Sequence, residues 1–135
     1  MKLQTSVFRH PHDIMCSIPG ISETTAAAIL IECPEIGTLT RKQIASLAGL
    51  APVTRQSGQW RGKSFIQGGR KFLRDALYMP VLVAARFNPD MAAKYKQMSA
   101  RGKPKKVALT AIMRKMLELV NTLIKNDRMW VEKTA

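Results

Sequence analysis

The sequence predicts an all-α, mainly helical single domain that contains a helix-hairpin-helix motif and one irregular Gly/Arg-rich loop. Three observations carry this reading. Residues 107–125 repeat Leu109, Ile112, Met116, Val120 and Leu123 at three- and four-residue steps, with Arg114, Lys115, Glu118 and Lys125 mainly on the other side. Residues 70–87 are apolar on nearly all sides after Asp75, as expected of a central, buried helix. Helix start and stop signals recur between these stretches, and 46% of the 135 residues are apolar, enough to bury a core and to exclude wholesale disorder.

Taken in order, residues 1–13 read as an N-terminal arm. His10-Pro11-His12-Asp13 has the residue types of a metal site, but two histidines and one carboxylate on a Pro-broken segment fit an exposed turn better. Ile14 to Cys16 should end a short helix. Ile18-Pro19-Gly20-Ile21 then forms a tight turn, and Ser22 caps a helix over 24–33 that Pro34 stops. In this helix-hairpin-helix pattern, the N–H groups of Gly20, Ile21 and Ser22 sit at a helix start where a phosphate can bind. An ordinary helix-helix corner packed by Ile18 and Ile21 accounts for the same residues. Thr40 and Gln43 make a capping box for a short helix that Gly49 ends. Pro80 should kink the 70–87 helix. Asn88 or Asp90 caps the next helix, to about Met98. Residues 100–106, A-R-G-K-P-K-K, read as a flexible basic turn, either a phosphate contact or a solvated linker. The helical domain spans 14–126, and 127–135 are a tail that Trp130 pins.

The loop, residues 49–69 with Arg70 and Lys71 after it, shows neither helical nor sustained strand periodicity; a short β-hairpin around Ser64-Phe65-Ile66 is the one alternation in it. It contains no acidic residue. Ser57 is followed by Gly58 and flanked by Arg55, Arg61 and Lys63, and Arg70 and Arg74 follow close behind. A hydroxyl beside a bare backbone and several cations suits a phosphate. Composition alone favours Ser57 as a turn serine beside Gly58, and Ser64 is its rival within the loop.

Charge placement supports a polyanionic partner. The net charge is +13, yet residues 1–50 hold four basic and four acidic side chains, so the whole excess lies from residue 51 onward. Nucleic acid is the expected partner. An anionic membrane surface fits less well, because the basic segments lack an aromatic-rich amphipathic face. No apolar run reaches the roughly 18 residues of a membrane span. Cys16 and Cys33 have neither zinc-site nor disulfide-framework spacing. Without a signal pattern, the expected location is cytoplasmic.

Several of these segments together resemble the C-terminal domain of the bridge-RNA-guided transposases of the insertion-sequence one-ten family, to which pilin-gene invertases are similar. The matching residues are Ser17-Ile18-Pro19-Gly20-Ile21, Leu47-Ala48-Gly49-Leu50-Ala51-Pro52, Arg55-Gln56-Ser57-Gly58 with Gly62, and Gly69-Arg70 leading to Leu73-Arg74 and Leu77. The resemblance covers residues 14 to 125 or so. It implies that Ser57 is the nucleophile of DNA cleavage and rejoining, with Arg55, Arg61, Lys63, Arg70 and Arg74 around the phosphate. It also implies an acidic RuvC-like partner domain holding a divalent metal (Mg²⁺), a guide RNA, and a homo-oligomeric active complex. Nothing in this sequence supplies the acidic metal-binding set, so no metal site or cofactor is expected in this chain. The expected state is a fragment, an isolated domain or a degenerate remnant, inactive alone. Gly20, Ile21, Ser22, Gly58, Lys103, Lys105 and Lys106 complete the expected nucleic-acid contacts. The alternative is a non-catalytic nucleic-acid-binding or synaptic-assembly module.

Overall fold

The computed structural model describes residues 10–49 and 71–131, and among these every regular element is a helix. The order is α1 (Pro11–Cys16), α2 (Glu23–Glu32), α3 (Arg41–Leu47), α4 (Lys71–Phe87), α5 (Pro89–Ala100) and α6 (Lys105–Lys125). The segment expected to hold the Gly/Arg-rich loop and a short β-hairpin lies outside the described residues. No described helix is long and apolar enough to cross a membrane.

Local chemistry explains most boundaries. His10 to Asp13 do not form a mere turn: Pro11 supplies a preset helical φ at the first position, and the His10 ring accepts from the His12 N–H at 3.0 Å. The Ser22 hydroxyl caps α2 by accepting from the Thr25 N–H at 3.2 Å. Thr40 and Gln43 form the full capping box of α3, each side chain accepting the other's backbone N–H. Asn88 caps α5 by accepting from the N–H groups of Asp90 and Met91. Helix α6 starts at Lys105, two residues earlier than the sequence pattern suggests. Lys105 and Lys106 thus belong to a helical first turn rather than to a flexible linker.

One core unites the helices. α6 contributes Leu109, Ile112, Met116, Leu117 and Val120, all buried. α4 contributes Leu73, Leu77, Val81 and Ala84. The turn before α2 adds Ile18 and Ile21. Full burial of one such aliphatic side chain is worth about 1.5–3 kcal/mol, so the helix faces, not their propensities, set the arrangement. Pairwise, α4 packs on α2, α5 and α6, and α6 also packs on α1 and α3.

The structure departs from the sequence pattern at one further helix. α4 is not buried all round: Phe72, Met79 and Phe87 are each more than 60% exposed. These fall on one side at helical spacing with Val83, while the described neighbours cover the opposite side. At Gly20 the backbone is closely approached by α4. Its φ is +108°, and a Cβ there would sit 2.9 Å from the Ala84 Cβ. Both the left-handed backbone and the contact demand glycine.

Two buried asparagines tie connections to the core. Asn88 donates from Nδ2 to the Pro19 carbonyl at 3.2 Å, fastening the α1–α2 turn to the α4–α5 corner. Asn121, on α6, accepts from the Gly37 N–H at 2.6 Å and donates to the Leu39 carbonyl at 2.6 Å. Gly37 has φ +99°, and a Cβ on it would lie 2.5 Å from the Ile124 Cγ2. At the far end, the Trp130 N–H donates to the Ser17 hydroxyl at 2.8 Å, and its ring packs on the core.

Asn121→Ala orphans the buried Gly37 N–H. Unfolding in urea should show a loss of about 2 kcal/mol, the cost of an unsatisfied buried group; a variant as stable as the parent would show that the α2–α3 connection does not depend on this side chain.

Candidate nucleic-acid interface

Helices α3, α4 and α6 meet around a cleft of about 920 Å³. Gly49, at the end of α3, forms one rim. Arg74, Asp75 and Tyr78 reach it from α4, and Lys105, Lys106, Leu109, Thr110 and Met113 from α6. Gly49 and Lys71 flank the span 50–70, so the cleft lies where the chain enters that span and close to where it leaves.

The cleft is cationic. Among the described residues, Arg74, Lys105 and Lys106 face one lining carboxylate, Asp75, which is already paired with Lys71 at 3.0 Å. Arg74 is half-buried, and its Nη1 donates to the Ala48 carbonyl at 2.9 Å. The guanidinium therefore closes the C-terminal end of α3 and still has donors directed elsewhere. At α6, Pro104 provides no side-chain cap, and the first turn has no acid. Two ammonium groups at the positive end of a helix each oppose its dipole. A bound anion would reverse that sign.

Two smaller hollows continue from the same helix start. One, of about 410 Å³, shares Lys105 and Leu109 and adds Arg86 and Tyr95. The other, about 330 Å³, shares Lys106 and Thr110 and adds Arg114. Basic side chains thus line the grooves on both flanks of the α6 start.

The hairpin turn lies on another side of α4. Gly20, Ile21, Ser22 and Thr25 line a shallow groove with Met79, Pro80 and Val83, and among the described residues no Lys or Arg borders it. The Ile21 side chain is buried, and its N–H donates to the Ile18 carbonyl at 3.1 Å, so both are committed to the fold. Ser22 is exposed, with its hydroxyl engaged in the cap of α2. The structure therefore brings Arg74, Lys105 and Lys106 together and keeps Gly20, Ile21 and Ser22 apart from them. Lys103 is exposed and does not line the cleft. Arg55, Ser57, Gly58, Arg61, Lys63 and Arg70 lie outside the described residues. Tyr78 was not singled out from sequence, although its position one turn after Arg74 places the two on one helix face.

Known proteins resemble this chain over most of its length. The model of the family described as Transposase IS116/IS110/IS902 matches residues 12–96. A pilin gene-inverting protein of Moraxella bovis is 36% identical over 128 residues, covering 92% of this chain and 40% of the relative. The pilin gene-inverting protein of Moraxella lacunata is 37% identical over 119 residues, covering 85% of this chain and 37% of the relative. The uncharacterized 43.6 kDa protein of insertion element IS110 from Streptomyces coelicolor is 30% identical over 121 residues, 87% of this chain and 30% of its own. The chain spans only about two-fifths of the length of the pilin gene-inverting relatives.

Among the described residues, no group of three or more His, Cys, Asp or Glu side chains is placed to hold a metal ion. The His12 ring, part of the weighed metal motif, is engaged in the fold: its Nε2 lies 3.1 Å from the Glu23 carbonyl. Neither cysteine is in a disulfide, and Cys33 is fully buried. Burial pushes the Cys16 thiol above the ordinary cysteine range, and the carboxylates of Glu23 and Asp13 add to the shift. A protonated thiol is a poor nucleophile. Iodoacetamide should label Cys16 more slowly than free cysteine at mildly alkaline pH, with the midpoint of its rate–pH profile displaced upward. A midpoint at or below that of free cysteine, followed by peptide mass mapping, would contradict this.

Proposed function

Because the chain belongs to the IS116/IS110/IS902 transposase family, we propose that it is the DNA-binding, serine-bearing part of a transposase or site-specific recombinase. One observation supports this most strongly: Arg74, Lys105 and Lys106, from helices far apart in sequence, converge on the cleft at the root of the span that holds Ser57. A phosphodiester backbone is the polyanion that such a cluster suits. The relatives' names agree, since inverting a gene requires DNA strands to be broken and rejoined.

In this reading Ser57 is the catalytic nucleophile. Its Oγ bonds to the scissile phosphorus, the P–O bond to one deoxyribose breaks, and the leaving oxygen takes up a proton. Attack by a deoxyribose hydroxyl on the phosphoserine then restores a phosphodiester and frees the serine. Each step exchanges one phosphoester for another, so no external energy source is needed. Arg55, Arg61, Lys63 and Arg70 are the proposed cations around the reacting phosphate, with Arg74 holding the end of α3 from which the span departs. Gly58 leaves the backbone beside the serine bare. Lys105 and Lys106 hold the flanking backbone, and Lys103 adds longer-range attraction.

The divalent ion, Mg²⁺, belongs in this proposal to an acidic RuvC-like partner domain, where it would polarise a phosphate oxygen. Guide RNA and further copies of the same protein complete the proposed assembly. This chain alone should not exchange strands.

A competing reading is a purely non-catalytic binding module, and covalent trapping separates the two. In a complete transposase containing this domain, a suicide substrate should yield a protein–DNA adduct that survives denaturing electrophoresis, and Ser57→Ala should abolish it while leaving binding within about twofold. Adducts persisting in Ser57→Ala would remove Ser57 from this role. For the isolated chain, Lys105→Ala/Lys106→Ala should weaken duplex binding and reduce the slope of log affinity against log salt by about 2. An unchanged slope would place the phosphate contacts elsewhere.

A further inference from the structure

The cleft contains more than cations. Its α6 wall presents Leu109 and Met113, and its α4 wall presents Tyr78, about half exposed at 49%. A surface serving only the sugar–phosphate backbone of a duplex has no use for an apolar floor with an aromatic ring beside it. Charge and apolar area together match a nucleotide whose base has left the helical stack: the phosphates meet cations, and the base meets a π-face. A volume of about 920 Å³ is ample for a drug-sized group rather than a lone phosphate.

We propose that this cleft is a subsite for unpaired nucleotides, with Tyr78 as the stacking platform and Arg74, Lys105 and Lys106 on the adjoining phosphates. The inference rests on the nucleic-acid reading above and narrows it from duplex backbone to opened strand. Tyr78 lies one helical turn from Arg74, so base and phosphate contacts come from one face of α4. The neighbouring hollow repeats the combination: Tyr95 lies there with Arg86, and Lys105 is shared between the two. The chain has two tyrosines, and both line grooves that meet at Lys105. This spacing gives a strand two successive aromatic sites along a cationic path. Thr110, on the α6 wall, offers a hydroxyl, although it also donates to the Lys106 carbonyl at 2.9 Å.

The test uses the chain as it stands, with short labelled oligothymidylate, oligouridylate and a mixed-sequence duplex, by fluorescence anisotropy at fixed salt. Tyr78→Ala should weaken single-strand binding by about tenfold and duplex binding by less than twofold, and Tyr78→Phe should restore the single-strand affinity. The oligothymidylate and oligouridylate arms show whether the strand is DNA or RNA; a Tyr78-dependent gain in either supports the proposal. An equal loss on single strand and duplex, or no loss on either, overturns the stacking site. If duplex binding still depends on Lys105 and Lys106 in that outcome, the function proposed above stands without it. If no nucleic acid binds the parent chain, both readings fail. Tyr78 is half exposed, and circular dichroism of each variant verifies that the helices persist.

Discussion

The seam between α4 and α6 is the constraint on which the rest depends. Leu73, Leu77 and Val81 on one helix join Leu109, Ile112 and Met116 on the other in a single buried core. Because side chains on a helix repeat every 3.6 residues, burial of those positions dictates where the others point. Arg74 and Tyr78 must then flank the seam on one side, and Lys105 and Lys106 close its other wall. The positive cluster is therefore a by-product of hydrophobic packing held in register.

The same core supports the two irregular connections. Asn88 satisfies three hydrogen bonds at once, two at the start of α5 and one at Pro19. Asn121 does the same for the crossing between α2 and α3. Buried amides are favourable only when fully partnered, and among the described residues no buried side-chain nitrogen or oxygen is left without a partner. Gly20 and Gly37 share this logic: each has a left-handed backbone and a neighbouring helix where a Cβ would stand. These glycines permit close packing, and the hairpin's shape follows from its core contacts.

Much of the fold was legible in the sequence. The caps at Ser22, Thr40 and Asn88 are local chemistry, visible as residue types at fixed spacing. The α6 stripe announces its buried face by period alone. What escaped was tertiary. Whether Phe72 and Met79 are covered depends on which neighbours reach that side of α4, and an all-apolar pattern carries no such information. The start of α6 was placed late because Pro104 and two lysines look like linker, although proline at a helix entrance is favourable. For the site, charge asymmetry indicated a polyanionic partner, and Arg74, Lys105 and Lys106 were each suspected separately. Their meeting across one cleft could not be read from a chain in which about 30 residues separate them. Tyr78 was hidden for the same reason, as one ring within an apolar helix. Ser57 and its loop arginines remain sequence inferences, carried by the family match and the position of the span that contains them.

In the function proposed above, nucleic acid seats against the α3–α4–α6 cleft, away from the hairpin groove. Amide chemical shifts during titration with a short oligonucleotide test this residue by residue. Gly49, Tyr78 and residues 105–110 should shift together in one saturable process, while Thr25 and Val83 stay still. Shifts confined to the hairpin groove, with Lys105 and Lys106 unmoved, would contradict it.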